Sequence, residues 1–462
     1  MIINHPFDSK YRSIELPDHT QIVRLNEPET LSNAKEAIVD SLNNPIDSEP
    51  LTVIASRKLK ERKDKDGKEA NAVIVVSDNT RPVPYIGEQG ILLPIIEQLF
   101  SVGYTKDTIT ILIANGTHSA MSESEIERML DERILKMGIR IVNHNCKDYD
   151  NLTYLGKTKK GTEMYLNSLY VNADLKIATG LVESHFMAGA SGGRKAICPG
   201  IIGEQSTYVF HGVPFMADEN SRDLNLEKNL VHEEAVEVAS TVGIDFLVNV
   251  TLNGEFKITG IFSGNFIKAH LQAVECIKKS VMVGAKSSDI IVTHAGFVGM
   301  NHYQCAKCAV GCLGILKKDG YLVIIADTHD EKHPVGGVNY QAALALLTLF
   351  GPEKFTRLIK SEDWPFVPEQ WQVQMWTKVF EVIDMDHLIF YSPTMDKIWW
   401  PMLPGFDGGS FIDESVQEKD YFYHVVNKSL QRISQMEGKD ISEMSISWIE
   451  DGPYVIPVVK EM

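Results

Sequence analysis

Six cysteines in 462 residues are too few to suggest a disulfide framework, and a chain of this length can bury a sizeable core without one. Long apolar runs are missing too. No window approaches the roughly eighteen continuous apolar residues of a membrane helix. The opening residues, Met1-Ile-Ile-Asn-His-Pro-Phe7, lack the charged and apolar regions of a signal peptide, so the expected location is cytoplasmic. Basic residues are in deficit: 45 Lys and Arg against 62 Asp and Glu leave a net charge of −17. That argues against broad contact with nucleic acid or an anionic membrane. A small anionic ligand is still allowed, because a few local Arg and Lys set the sign inside a cleft. Two nucleotide fingerprints are also absent, Gly-x4-Gly-Lys-Ser/Thr and a clear Gly-x-Gly-x-x-Gly at a strand end.

What is present is alternation. Strand-like runs at 72–76 and 108–113 are each followed by a helical pattern, at 88–102 and 123–137. Further β-branched runs lie at 175–179, 290–292 and 321–326. Buried strands alternating with helices indicate an α/β protein with largely parallel sheets. The expected division is an N-terminal domain over 1–275 and a second α/β domain over 276–419, with 420–462 packing back on the first. The run 57–68, RKLKERKDKDGK, reads as a solvated loop or hairpin tip.

In parallel sheets, ligands sit beyond the carboxyl ends of strands, and the unusual motifs fall there. Ser77-Asp-Asn-Thr-Arg-Pro-Val-Pro84 follows the first run, with Thr80 and Arg81 suited to a phosphate or carboxylate. A surface pairing of Asp78 with Arg81 explains that loop equally well. Ala114-Asn-Gly-Thr-His118 follows the second run, and its histidine suits either acid/base work or a structural bond to loop carbonyls. Glu183-Ser-His-Phe-Met-Ala-Gly-Ala-Ser-Gly-Gly-Arg-Lys-Ala-Ile-Cys-Pro-Gly200 follows the third, with His211 shortly after. There His185 offers a proton carrier, Lys195 an amine for a covalent link and His211 a metal ligand, while Gly189, Gly192 and Gly193 allow backbone to approach a ligand. A phosphate-binding loop is the plain alternative for the glycine run. Tyr303-Gln-Cys-Ala-Lys307 opens a helix of the second domain, with Gln304 and Lys307 sharing a face. Cys305, Cys308 and Cys312 have the spacing C-x2-C-x3-C without a fourth thiolate, and on a helix they form a stripe that reads as a packing face.

Taken together, in this order and spacing, these motifs resemble the nickel-pincer lactate racemase family over about 51 to 371. The resemblance implies two α/β domains with the active site in the cleft between them, and an isomerase, a 2-hydroxyacid racemase or epimerase. It implies a nickel-pincer pyridinium mononucleotide tethered to Lys195, with His211 on the nickel and Asp78, Asn79, Thr80 and Arg81 around the cofactor. His118 and His185 become the paired acid/base residues. Arg81, Tyr303, Gln304, Lys307 and Trp371 become substrate contacts. One histidine then takes the hydroxyl proton while hydride leaves the α-carbon for the pyridinium ring, and the other serves the opposite enantiomer. The implied partners are a small anionic 2-hydroxy acid and cofactor-biosynthesis proteins. Departures from the family pattern are the looser turn 293–302, with His294 and His302 expected near the pocket, the 57–68 run and Trp399-Trp400. They leave open lactate, a larger hydroxy acid or a sugar acid such as an aldonate. A non-catalytic nucleotide-binding module on the glycine run, or a redox cluster on the three cysteines, are the competing readings.

Overall fold

The structure, a computed structural model, describes residues 1–4, 10–296 and 298–460; Phe297, in the 293–302 turn, lies outside them. The chain forms two compact units, Glu27–His211 with Asp218–Lys279, and Met1–Asn26 with Gly212–Ala217 and Ser280–Met462.

The Glu27–Lys279 unit is built on six strands. Across the sheet they run Ile258–Gly264, Phe246–Leu252, Leu175–Leu181, Ala72–Ser77, Ile109–Ala114 and Arg140–Asn143. All neighbours are parallel except the first pair. Ala72–Ser77 reads AVIVVS and is buried from Ala72 to Val76, as a central strand covered on both faces must be. The helix Leu92–Ser101 buries Leu92, Ile95, Ile96 and Leu99, one stripe at helical spacing, in the core shared with Ile74, Ile111 and Ile177. Truncating one such leucine to alanine costs about 2–5 kcal/mol. The 123–137 pattern resolves into two helices, Glu123–Met129 and Glu132–Met137, because Asp131 stops the first and caps the second through Arg133 N.

The 57–68 run is not a loop. It is the second half of the helix Leu51–Asp66, ended by Gly67 at φ 73°. Its opposite charges fall one turn apart, with Arg57 3.9 Å from Glu61 and Arg62 3.2 Å from Asp66, so the mixed charge that suggested a loop supports a solvated helix face.

The second unit has a fully parallel sheet in the order Phe406–Asp407, Leu388–Tyr391, Leu316–Ile325, Ser288–His294, Ile446–Ile449, Gln21–Val23. The segment after 420 therefore does not return to a 1–275 domain. Its strand Ile446–Ile449, with Trp448 fully buried, sits between Ser288–His294 and Gln21–Val23. The helix Tyr421–Glu437 covers this sheet through Phe422, Val425, Val426 and Ile433. Residues 1–26 are drawn into the same unit, which a reading based on sequence order alone misses. No helix among the described residues is long and apolar enough to cross a membrane.

Candidate active site

Three neighbouring parallel strands, Ile109–Ala114, Ala72–Ser77 and Leu175–Leu181, end on the same edge of the first sheet. The loops that follow them carry the motifs singled out in the sequence. Gly116 N donates to Gly200 O at 3.0 Å, tying the second motif loop to the end of the third.

His118 and Asp78 meet here. His118 Nδ1 lies 2.7 Å from Asp78 Oδ2, with the imidazole exposed and the carboxylate buried. Asp78 Oδ1 accepts from Thr80 N at 3.2 Å and Thr80 Oγ1 at 2.6 Å. Burial pushes the Asp78 carboxyl up, but the bonds from His118 and Thr80 outweigh it and hold the group below the usual carboxylate range. Asp78 is thus committed to His118 rather than paired with Arg81. A carboxylate on Nδ1 sets the tautomer that leaves the lone pair on Nε2, the form a general base needs. Arg81 turns back on its own loop, donating to Thr80 O at 3.0 Å. Asn79 points to Glu125 at 3.3 Å.

His185 sits on a short antiparallel pairing of Ser184–His185 with Gly189–Ala190. The backbone N–H groups of Met187 and Ala188 both point at His185 Nδ1, each at 3.3 Å, which assigns the lone pair to Nδ1 and the hydrogen to Nε2 in the neutral ring. His185 Nε2 in turn lies 3.2 Å from Lys195 Nζ. Burial and the charges of Arg194 and Arg81 pull the Lys195 amine down to about 7. His211 ends the helix Glu204–Phe210, and its Nδ1 donates to Thr207 O at 3.0 Å. Burial, then the nearby Lys195 charge, pulls His211 down to about 3, so it is a neutral imidazole with its lone pair on Nε2.

The glycines also have a packing reason. A Cβ on Gly193 (φ 54°) would lie 2.6 Å from the His270 ring, and one on Gly192 (φ 70°) 2.7 Å from Val182. On the Cβ side of both residues, what comes close is the protein's own packing. Gly193 N is also spent on Asn249 Oδ1 at 3.0 Å, and Ser191 N on Glu183 O at 2.9 Å. Such a loop is a poor phosphate cradle.

Sequence reasoning missed Arg194. It is 1% exposed and clamps the loop, donating from Nη2 to Ala188 O at 2.7 Å, with Nη1 packed 3.0 Å from His270 Nε2, whose ring lies 2.9 Å from Ser191 O. Its only signal was an arginine beside the lysine, which looks like any surface charge.

In the other unit, Tyr303, Gln304 and Lys307 lie on the helix His302–Gly311, started by Asn301, whose side chain accepts from Gln304 N at 3.1 Å. Trp371 Nε1 donates to Tyr303 Oη at 2.9 Å, and Gln372 Nε2 to Tyr303 O at 2.7 Å. Gln304 Oε1 is buried without a hydrogen-bond partner. Two histidines expected near the pocket are core groups. His294 bonds Glu450 O at 2.6 Å and packs on Trp448, while His302 bonds Tyr340 Oη at 2.9 Å and stacks on Trp376. The cysteine stripe is buried, with the Cys308 thiol donating to Cys305 O at 2.9 Å and the Cys312 thiol to Cys308 O at 3.1 Å. Among the described residues these thiols are not gathered within reach of one metal ion.

A lactate racemase N-terminal domain model matches residues 7–223. Lactate racemase of Thermoanaerobacterium thermosaccharolyticum is 30% identical over 334 residues, 71% of this chain and 75% of that protein. The chain belongs to the lactate racemase family. Lactate racemase of Lactiplantibacillus plantarum is 29% identical over 401 residues, 85% of this chain and 89% of that one. The fold agrees: the lactate racemase apoprotein of T. thermosaccharolyticum superimposes with a TM-score of 0.80, at 24% identity and over the whole of both chains. The relatives are isomerases by name, and this lactate racemase family member is an enzyme of that class.

Proposed function

We propose that this enzyme inverts the α-carbon of a small 2-hydroxy acid of the lactate type. The observation that carries the reading is the pair of histidines at one sheet edge, each held through Nδ1, His118 by Asp78 and His185 by two backbone N–H groups. Nε2 is then the atom that exchanges a proton on both rings. His118, with its lone pair on Nε2, takes the hydroxyl proton of one enantiomer and His185, with its hydrogen there, returns a proton; from the other enantiomer the two roles and the two starting protonation states are exchanged.

The donor set fits the nickel-pincer nucleotide of the family. Lys195 offers a neutral amine for a covalent link, and His211 a neutral imidazole whose lone pair is on Nε2, a ligand type that nickel favours. Hydride acceptance is the chemistry that group supplies when bound. In this reading Thr80, Asn79 and Arg81 flank it, and Asp78 serves His118 instead. Arg81 and Lys307 attract the substrate carboxylate, and the unpartnered Gln304 Oε1 suits a substrate hydroxyl. Tyr303 and Trp371, bonded to each other, bound the side-chain end. A larger acid such as an aldonate is the second reading, in which Gln304 Oε1 takes a hydroxyl beyond the α-carbon instead of the α-hydroxyl. A nucleotide-binding module is disfavoured by the internally used loop amides.

The test is a chirality assay against 2-hydroxy acids and aldonates, on protein made together with the cofactor-biosynthesis proteins. Lys195→Ala abolishes both the mass adduct and inversion, and His211→Ala lowers bound nickel. His118→Ala and His185→Ala each stop inversion with nickel retained. Full activity in the Lys195→Ala protein would refute the tether, and nickel loss in the His118→Ala protein would show that ligand and base had been exchanged.

A further inference from the structure

The Lys195–His185 contact has no place in racemisation as described above, where one residue holds the cofactor and the other moves protons. The two side chains are nevertheless in hydrogen-bond contact at 3.2 Å. The direction of that bond follows from the other side of the ring. Because Met187 N–H and Ala188 N–H both point at Nδ1, the hydrogen is on Nε2, so Nε2–H donates and the Lys195 nitrogen accepts. An ammonium group has no lone pair with which to accept. The bond therefore selects the neutral amine, whose one lone pair becomes nucleophilic when Nε2–H turns from it to an incoming acyl donor. Arg194 reinforces this arrangement. Its guanidinium is buried one residue before the lysine and holds the 188–194 backbone by donating to Ala188 O. The Lys195 residue is half-buried rather than sealed in the core.

We propose that Lys195 and His185 are a nucleophile–acid pair that makes this chain acylate itself, so that covalent attachment at Lys195 needs no separate ligase. The co-substrate class is an acyl donor of the carboxylic or thiocarboxylic type. The Lys195 nitrogen attacks the acyl carbon and a carbon–nitrogen bond forms. The bond from that carbon to its leaving heteroatom breaks and the heteroatom departs with the electron pair; in one concerted exchange at His185 Nε2 it takes a proton as the new amide-type nitrogen gives one up, so the ring stays neutral and no oxidant or reductant is required. His185 thus acts twice in the life of the protein, once to load Lys195 and afterwards on substrate. The inference rests on the tether reading above, but it is tested without the cofactor.

The experiment treats the purified full chain, made without the cofactor-biosynthesis proteins, with phenyl thioacetate and maps acetylation by peptide mass spectrometry. Lys195 is expected to acetylate at least about tenfold faster than the exposed Lys60 and Lys268, and His185→Gln to slow Lys195 by about 10²-fold, the lower end of what a positioned acid/base contributes, with Lys60 unchanged. A Lys195 rate at or below that of the exposed lysines overturns the proposal within the unmodified protein, whatever the stability of the variant. An unchanged Lys195 rate in His185→Gln, at an unchanged melting temperature, overturns it too. The tether reading is separated by intact mass. Protein made with the biosynthesis proteins and lacking any adduct on Lys195 refutes the tether while the thioester result stands. An adduct that forms equally in His185→Gln refutes the self-acylation and leaves the tether.

Discussion

Replacing Asp78 by asparagine distinguishes two roles for this residue. If it positions His118, the substitution keeps the shape and removes the charge from a carboxylate that is 4% exposed and 2.7 Å from Nδ1. A hydrogen bond to a charged partner contributes about 1.5–3 kcal/mol. With each 1.36 kcal/mol worth tenfold in rate, that alone is about 10- to 150-fold. A second effect adds to it. An amide nitrogen turned toward Nδ1 favours the tautomer with hydrogen on Nε2, which cannot act as base; the same substitution in a Ser-His-Asp triad lowers kcat by about 10⁴. The expected fall in kcat is therefore about 10²- to 10⁴-fold, with KM nearly constant, measured as initial rates of inversion from each enantiomer. Nickel content and the Lys195 adduct should be unchanged. Because Asp78 acts through His118, the double variant with His118→Gln should be no slower than His118→Gln alone. Loss of nickel in Asp78→Asn would refute the positioning role in favour of cofactor binding, and multiplicative losses in the double variant would refute any action through the histidine.

The pH dependence of stability follows from the same carboxyl. Its folded pKa is depressed, so its contribution is present above the ordinary carboxyl range near pH 4 and lost as pH falls through the lower folded value; Asp78→Asn should flatten that acid limb in denaturant titrations. Gly193→Ala forces a Cβ to 2.6 Å from the His270 ring at φ 54°, and should cost about 1–3 kcal/mol in chemical denaturation and slow acylation of Lys195. Gly67→Ala meets no atom within 4 Å but keeps φ 73°, so only the backbone cost of about 1 kcal/mol is expected. Cys308→Ala should leave metal content unchanged and lower the melting temperature by a few degrees, as loss of a buried packing thiol; iron in the unaltered protein that disappears in this variant would restore the cluster reading.

The parts of this protein that were legible in its sequence share a cause. Strands such as 72–77 are buried on both faces, so their β-branched runs stand out, and in a parallel sheet the chemistry must follow their carboxyl ends. That logic placed Asp78, His118 and His185 without coordinates. It failed where a residue's meaning depends on a distant partner. The 57–68 charges look like a loop until Glu61 and Asp66 are seen one turn from Arg57 and Arg62. The strand Ile446–Ile449 looks like a tail until it pairs with both Ser288–His294 and Gln21–Val23, 156 or more positions away. The same limit holds inside the site. A histidine in a sequence carries no tautomer, and a lysine no charge state. His118 is made a base by a carboxylate forty positions earlier, whereas His185 is made a donor by two amides of its own turn. In the proposed reaction the two identical side chains would start in opposite protonic states, as a step that takes a proton on one side and gives one on the other requires. Exchanging the two settings is informative for that reason: a variant that frees His185 Nδ1 from its turn should lose self-acylation at Lys195 before it loses the ability to bind nickel.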